Sequence, residues 1–218
     1  MRKIAVIGLS AFGTALVREL CQQRCRVLAV DIDEEKVDAV REMADEALIA
    51  DARDLRALEG LRLQDFDAVV LSLGEPIDAS LLAVLHLRDL KVRPILAKAV
   101  TEDHRRLLLH LGVDDAIFPE ADTAKRTART LANPGFLDTL QLGEDITVVE
   151  VAPTSFMIGK TLADLSLRRR YAINVVAVRD TLRDETSVNP DPAAVITDSD
   201  VLIVLGKEED IDRFVGGK

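Results

Sequence analysis

The stretch from Ile4 to Asp31 constrains this chain more than any other. It reads Ile-Ala-Val-Ile-Gly-Leu-Ser-Ala-Phe-Gly, continues as a helical run, and closes on Arg26-Val-Leu-Ala-Val-Asp31. The first four residues are apolar and β-branched or small, which suits a strand buried on both faces. Gly8 ends that strand where the chain must turn tightly into a helix. Gly13 removes a Cβ where the helix presses on the sheet. Ala15, Leu16, Leu20 and Val27 are then expected to point inward. Asp31 ends the second strand, close to the acidic position that holds a ribose hydroxyl pair about 20 residues into such a unit.

The pattern has one defect. A dinucleotide fingerprint wants Gly-x-Gly-x-x-Gly, and this chain has Gly8-x-Ser10-x-x-Gly13. Serine adds a Cβ and a hydroxyl, so close approach of a phosphate is hindered while a hydrogen-bond donor is gained. The bland alternative is a Rossmann-like layer that has lost its ligand.

Composition narrows the function classes. The chain carries 38 acidic against 28 basic residues, a formal charge of −10. A net acidic surface argues against a nucleic-acid partner. Aromatics are 3% with no Trp, so stacking platforms for bases are scarce. No apolar run approaches the roughly 20 residues that span a bilayer. The N-terminus enters a strand at once, so no signal peptide is expected. Cys21 and Cys25 lack the further ligands of a zinc site and read as reduced thiols.

Taken in order, the chain alternates strands and helices. Strands are expected at the start, at Arg26 to Asp31, Ala47 to Ala50, Asp67 to Leu73, Pro94 to Lys98 and Asp115 to Phe118. Helices fall between them, at Glu34 to Ala44, Asp54 to Leu61, Asp78 to Leu90, and from the cap Thr101 to Gly112. Six such strands give an α/β fold, a Rossmann-type doubly wound parallel sheet. A further helix, Asp122 to Ala132, leaves this layer and is broken by Asn133-Pro134-Gly135. The domain boundary is placed there, giving an N-terminal domain at 1–134 and a small α+β domain at 135–218. In the second domain strands are expected at Ile146 to Ala152, Asn174 to Arg179 and Asp200 to Gly206. Asp184 to Pro192 reads as polar and turn-rich, and Glu208 to Phe214 as a final helix.

Both halves together resemble one family, the cytosolic regulatory subunits of Ktr and Trk potassium-uptake systems, built from domains that regulate conductance of K⁺ (RCK domains). The carrying residues are Val6-Ile-Gly-Leu-Ser-Ala-Phe-Gly13, Val27-Leu-Ala-Val-Asp-Ile-Asp-Glu-Glu-Lys36 and Pro119-Glu120. In the second half they are Gly159-Lys-Thr-Leu-Ala-Asp-Leu165, Tyr171-Ala-Ile-Asn174 and Asp198-Ser-Asp-Val-Leu-Ile-Val-Leu-Gly206. The resemblance covers essentially the whole chain.

It implies an adenine nucleotide, ATP or ADP or else NAD(H), at the carboxyl edge of the sheet. By motif position, Gly8, Ser10, Ala11, Phe12 and Gly13 would face the phosphates. Asp31, Ile32 and Asp33 would hold the ribose, and Asp51 and Ala52 would flank the adenine. Ser72, Leu73 and Gly74 would line the next strand end, with Lys98, Ala99, Val100 and His104 beyond it. Glu120 stands where the family places a carboxylate near a divalent cation, Mg²⁺ or Ca²⁺. Two departures matter: Ser10 replaces a glycine, and Ala11 stands where similar members carry an Arg on the terminal phosphate. The latter puts ATP preference in doubt.

The resemblance also implies a cytoplasmic protein, held at the inner face of the cell membrane by a membrane-embedded K⁺-translocating subunit. It implies a homo-oligomer, a dimer stacked into a ring, and no catalytic residues. In the second domain Asn174 and the run Arg168-Arg169-Arg170 suggest cyclic di-AMP as a further ligand. The competing reading is an NAD(H)-dependent oxidoreductase. The residues themselves add one constraint: Lys98 ends a buried strand, where an ammonium is costly unless an anion meets it.

Overall fold

The computed structural model describes residues 1–143 and 145–215. The chain forms two compact units, Met1–Glu120 and the remainder from Ala121 on.

The first unit runs β1 (Lys3–Ile7), α1 (Ala11–Gln22), β2 (Arg26–Asp31), α2 (Glu34–Val40), β3 (Glu46–Ile49) and α3 (Leu55–Gly60). It continues as β4 (Ala68–Leu71), α4 (Ile77–Asp89), β5 (Ile95–Lys98), α5 (Glu102–Leu111) and β6 (Asp115–Ile117). The six strands are all parallel, in the order β3-β2-β1-β4-β5-β6. β1 is central, with Ala5 beside Leu28 of β2 and Val69 of β4.

Alternate residues of the central strands feed two cores. Ala5, Ile7, Leu28, Val30, Val69 and Leu71 pack under Ala83, Val84 and Leu87 of α4 and Leu108 of α5. Ile4, Val6, Val27 and Ala29 pack under Val17 of α1 and Val37 of α2. Burying each of the larger side chains contributes about 1.5–3 kcal/mol. This is why the strands read as unbroken apolar runs.

Four helices of this unit start with a side-chain cap. Ser10 accepts from the N–H of Gly13 at 3.4 Å, Asp33 from Glu35 at 3.0 Å, Asp54 from Arg56 at 2.9 Å and Thr101 from His104 at 3.1 Å. The chain builds outward from β1 to β3, then returns to the other side of β1 as β4. At that reversal the connections after β1 and β4 part and open a crevice.

The helix α6 (Pro119–Ala132) starts three residues earlier than the sequence pattern suggests, with Pro at its first position. The compact units divide within the first turn of this helix, after Glu120, whereas the sequence pattern places the boundary at Asn133-Pro134-Gly135. The reason is contact: Arg129 of α6 reaches Thr139, Thr147, Glu208 and Asp212, all in the second unit.

The second unit continues with β7 (Phe136–Leu142), β8 (Ile146–Val151), α7 (Leu162–Leu165), α8 (Leu167–Tyr171), β9 (Asn174–Asp180), β10 (Glu185–Val188), β11 (Asp200–Lys207) and α9 (Glu208–Val215). Its sheet is antiparallel in the order β10-β9-β11-β8-β7. Val149, Val151, Leu202 and Val204 meet Met157, Leu165, Ile211 and Phe214 in one core.

Two strands here have no counterpart in the sequence reading, and both are edges. β7 buries only Phe136 and Thr139, and a bulge between Phe136 and Asp138 breaks its alternation. β10 buries nothing, so its Glu-Thr-Ser-Val reads as turn.

Candidate functional site

The crevice at the reversal is a cleft of about 350 Å³, within the range of small-ligand sites. Each wall comes from the carboxyl end of a strand. Ile7 ends β1, with Gly8 and Ser10 after it; Asp31 ends β2, with Ile32 and Lys36 after it; Ala50 to Arg53 follow β3; Ser72 to Pro76 follow β4, with Ala79 on α4.

Local geometry explains the glycines. Gly8 has φ +94, and a Cβ there would lie 2.7 Å from the carbonyl carbon and oxygen of Ser72. A Cβ on Gly13 would lie 2.1 Å from the Gly8 carbonyl oxygen. The turn and the helix–strand contact thus both exclude a side chain.

Three main-chain N–H groups, those of Ser10, Ala11 and Phe12, find no acceptor among the described residues. They are the orphan donors of the α1 N-terminus, at the positive end of its dipole. The Ser10 hydroxyl lies 2.7 Å from that of Ser72, which is fully buried.

Asp31 is 7% exposed. Its Oδ2 accepts the N–H of Leu9 at 2.6 Å and its Oδ1 the N–H of Asp33 at 2.9 Å, while Lys36 Nζ stands 3.9 Å away. Each carboxylate oxygen keeps a further lone pair for a ribose hydroxyl. Arg53 forks onto Asp51 through Nε at 3.0 Å and Nη2 at 2.8 Å. These bonds hold the Asp51 carboxyl below its ordinary range. Both cations at the cleft, Lys36 and Arg53, are therefore neighboured by carboxylates, and Glu75 adds another acid.

Of the residues expected from sequence, Gly8, Ser10, Asp31, Ile32, Asp51, Ala52, Ser72, Leu73 and Gly74 line the cleft. Ala11, Phe12 and Gly13 form the first turn of α1 at its edge, and Asp33 caps α2 beside Asp31. The structure does not bring Lys98, Ala99, Val100, His104 and Glu120 to its lining.

The His104 ring is held by groups of the chain itself. It is fully buried. Ser80 Oγ donates to the Ile77 carbonyl at 2.7 Å, which leaves it to accept from His104 Nε2 at 2.8 Å. Nδ1 accepts the N–H of Val100 at 3.3 Å. Both ring nitrogens are used by a neutral imidazole, and burial pushes its pKa down. Lys98 meets its anion inside the chain: Nζ lies 2.5 Å from Glu120 Oε1, with the lysine 9% and the glutamate 60% exposed. That hydrogen bond holds the Glu120 carboxyl below its ordinary range. No group of three or more metal-ligating side chains occurs among the described residues. With Glu120 neutralised by an ammonium, the residues of one chain do not fit a divalent cation.

Lys36, Arg53 and Glu75 were not singled out from sequence. Lys36 is three residues past Asp33 on a helix and Arg53 two past Asp51, so short-range charge pairing was the available signal.

The cleft thus has open backbone donors at its edge and the buried Asp31 carboxylate in its lining. Fold and site together define a Rossmann-type layer with a cleft at the carboxyl ends of its strands, followed by a small antiparallel module. Residues 4–119 match the TrkA-N domain and residues 146–215 the TrkA-C domain. The chain is 39% identical over 213 residues to Ktr system potassium uptake protein C of Bacillus subtilis (strain 168), covering 98% of this chain and 96% of that protein. It is 33% identical over 213 residues to Ktr system potassium uptake protein A of the same organism, covering 98% and 95%. Among solved structures, the GsuK RCK domain superposes with a TM-score of 0.68 at 19% identity, over 99% of this chain and 47% of that one. The GsuK channel bound to NAD gives 0.67 at 18% identity, over 99% and 39%. The chain belongs to the TrkA-N/TrkA-C family of Ktr potassium-uptake proteins.

Proposed function

We propose that this chain is the nucleotide-binding regulatory subunit of a potassium-uptake system. One observation carries the reading. The cleft offers three open N–H donors and the Asp31 carboxylate in a chain that is related end to end to Ktr uptake proteins. An adenine nucleotide, ATP or ADP or NAD(H), would place its phosphates on the N–H groups of Ser10, Ala11 and Phe12, and its ribose on Asp31. Bound nucleotide biases the arrangement of subunits only if it binds one arrangement more tightly.

The subunit works from the cytoplasmic side on a membrane-embedded K⁺-translocating partner. No helix among the described residues is long and apolar enough to cross a membrane. Self-association is supported by α6. It buries none of its residues, and Ala121, Ala124, Ala128 and Leu131 form an exposed row, with Leu131 78% exposed. A helix of this length is marginal without packing, so a second copy is the natural cover.

A second nucleotide site in the C-terminal unit, for cyclic di-AMP, is supported by a separate cleft of about 350 Å³. Arg168, Arg169 and Asn174 share it with Pro190 and Pro192. Arg side chains suit phosphodiesters.

The test is calorimetric titration of the full chain with ATP, ADP, NAD⁺, NADH and cyclic di-AMP, with light scattering on the same samples. Binding that changes the assembly's dimensions supports the regulatory reading. Steady turnover of NADH with added carbonyl compounds would favour the oxidoreductase reading instead.

A further inference from the structure

A third cleft, of about 400 Å³, lies wholly within the second unit between α6 and β7. Its lining includes Lys125, Arg126 and Arg129 on one side and Thr139 on the other. Positions 122, 125, 126 and 129 fall on one stripe of α6. The alanine row at 121, 124 and 128 is displaced by one residue, roughly 100° around the helix. The surface available to a second copy and the surface facing β7 are therefore different.

Three cations converge here in a chain of net charge −10. Their present partners leave donor capacity unused. Lys125 Nζ donates to Gln141 Oε1 at 2.9 Å. Arg126 Nε stands 3.7 Å from Asp138, beyond hydrogen-bond length. The Arg129 side chain is 14% exposed. Its Nη1 makes only 3.4 Å contacts to Thr139 and Thr147, and its guanidinium lies 5.5 Å from the Phe136 ring centroid. Its Nη2 is buried with no hydrogen bond, at 3.5 Å from Glu208 and 3.7 Å from Asp212. A buried donor left unmade is costly, and such groups in native proteins call for a partner. Asp122 in the lining, Asp138 beside Arg126, and Glu208 and Asp212 beside Arg129 are the acids with which an entering anion would compete.

We propose that this cleft binds a small phosphoryl anion, held by Lys125, Arg126 and Arg129 with the Thr139 hydroxyl. A tetrahedral dianion offers several acceptor oxygens to donors arriving from a helix and a strand, and guanidinium forks match phosphate geometry. The site is distinct from the nucleotide cleft and does not depend on its assignment.

The experiment is hydrogen–deuterium exchange on the full chain with millimolar inorganic pyrophosphate, and in a second arm with ADP, read on peptides covering α6 and β7. Slowed exchange there is expected, independent of any change in peptides covering Gly8 to Gly13. Pyrophosphate acting alone identifies a free anion. ADP acting as well identifies the phosphoryl end of a nucleotide. Lys125→Gln/Arg126→Gln changes only exposed side chains and should weaken the α6–β7 response about tenfold. Arg18→Gln/Arg56→Gln, which removes the same charge elsewhere, should leave it intact. The proposal is overturned if neither probe slows exchange in α6 and β7, or if both double variants reduce the response equally.

Discussion

The main-chain N–H of Leu9 donates to Oδ2 of Asp31 at 2.6 Å, across 22 residues of sequence. In the proposed function the carboxylate that would take the ribose thus also pins the loop that would take the phosphates. Asp31→Ala should therefore act in two ways. It leaves the N–H groups of Leu9 and Asp33 without acceptors, costing about 1–3 kcal/mol of stability. It should also weaken nucleotide binding by about 1.5–3 kcal/mol. Urea unfolding and calorimetry on the same variant check both. Lost affinity at unchanged stability would mean the carboxylate serves the ribose alone.

The glycines of the loop are not equivalent to Gly74. Gly13→Ala places a Cβ against the Gly8 carbonyl and should cost at least about 2 kcal/mol, since backbone on both sides must move. Gly74→Ala meets nothing within 4 Å and should stay within about 0.5 kcal/mol of wild type. Denaturation midpoints of the pair decide this.

Ala11 brings no charge to the phosphate end, and both cations of the cleft already stand beside carboxylates. Wild type should discriminate weakly between ATP and ADP when divalent ions are chelated. Ala11→Arg should raise ATP affinity by about 1.5 kcal/mol, roughly tenfold, and ADP affinity by less. A strong ATP preference in chelated wild type would show that other groups hold the terminal phosphate.

His104 makes stability depend on pH. Its folded pKa lies below the ordinary value because burial disfavours the imidazolium. The unfolded chain then binds the extra proton first. Its contribution is complete above the unfolded pKa of about 6.5 and is lost as pH falls through the folded value. Urea midpoints should fall between pH 7 and 5 by more in wild type than in His104→Gln. Equal slopes would contradict a buried neutral imidazole.

Much of this was legible in the residues. Ile4 to Asp31 could be read because strands buried on both faces are apolar without alternation, and because Gly8 and Gly13 occupy positions where a Cβ collides. The partners of charged side chains were not legible. That Lys98 needs an anion follows from its strand; that Glu120 supplies it follows only from the fold. The same holds for His104, whose neighbour Ser80 lies on a different helix. Edge strands β7 and β10 were invisible because pairing on one side, with little burial, leaves no hydrophobic period.

The proposed function stands on the cleft between β1 and β4 binding an adenine nucleotide. Calorimetric titration of the full chain with ATP, ADP, NAD⁺ and NADH tests it most directly. Saturable micromolar binding of at least one of them is expected, one per chain at this cleft, and weakened in Asp31→Ala by about 1.5–3 kcal/mol. Absence of binding at millimolar nucleotide, or affinity unchanged in Asp31→Ala, would contradict it.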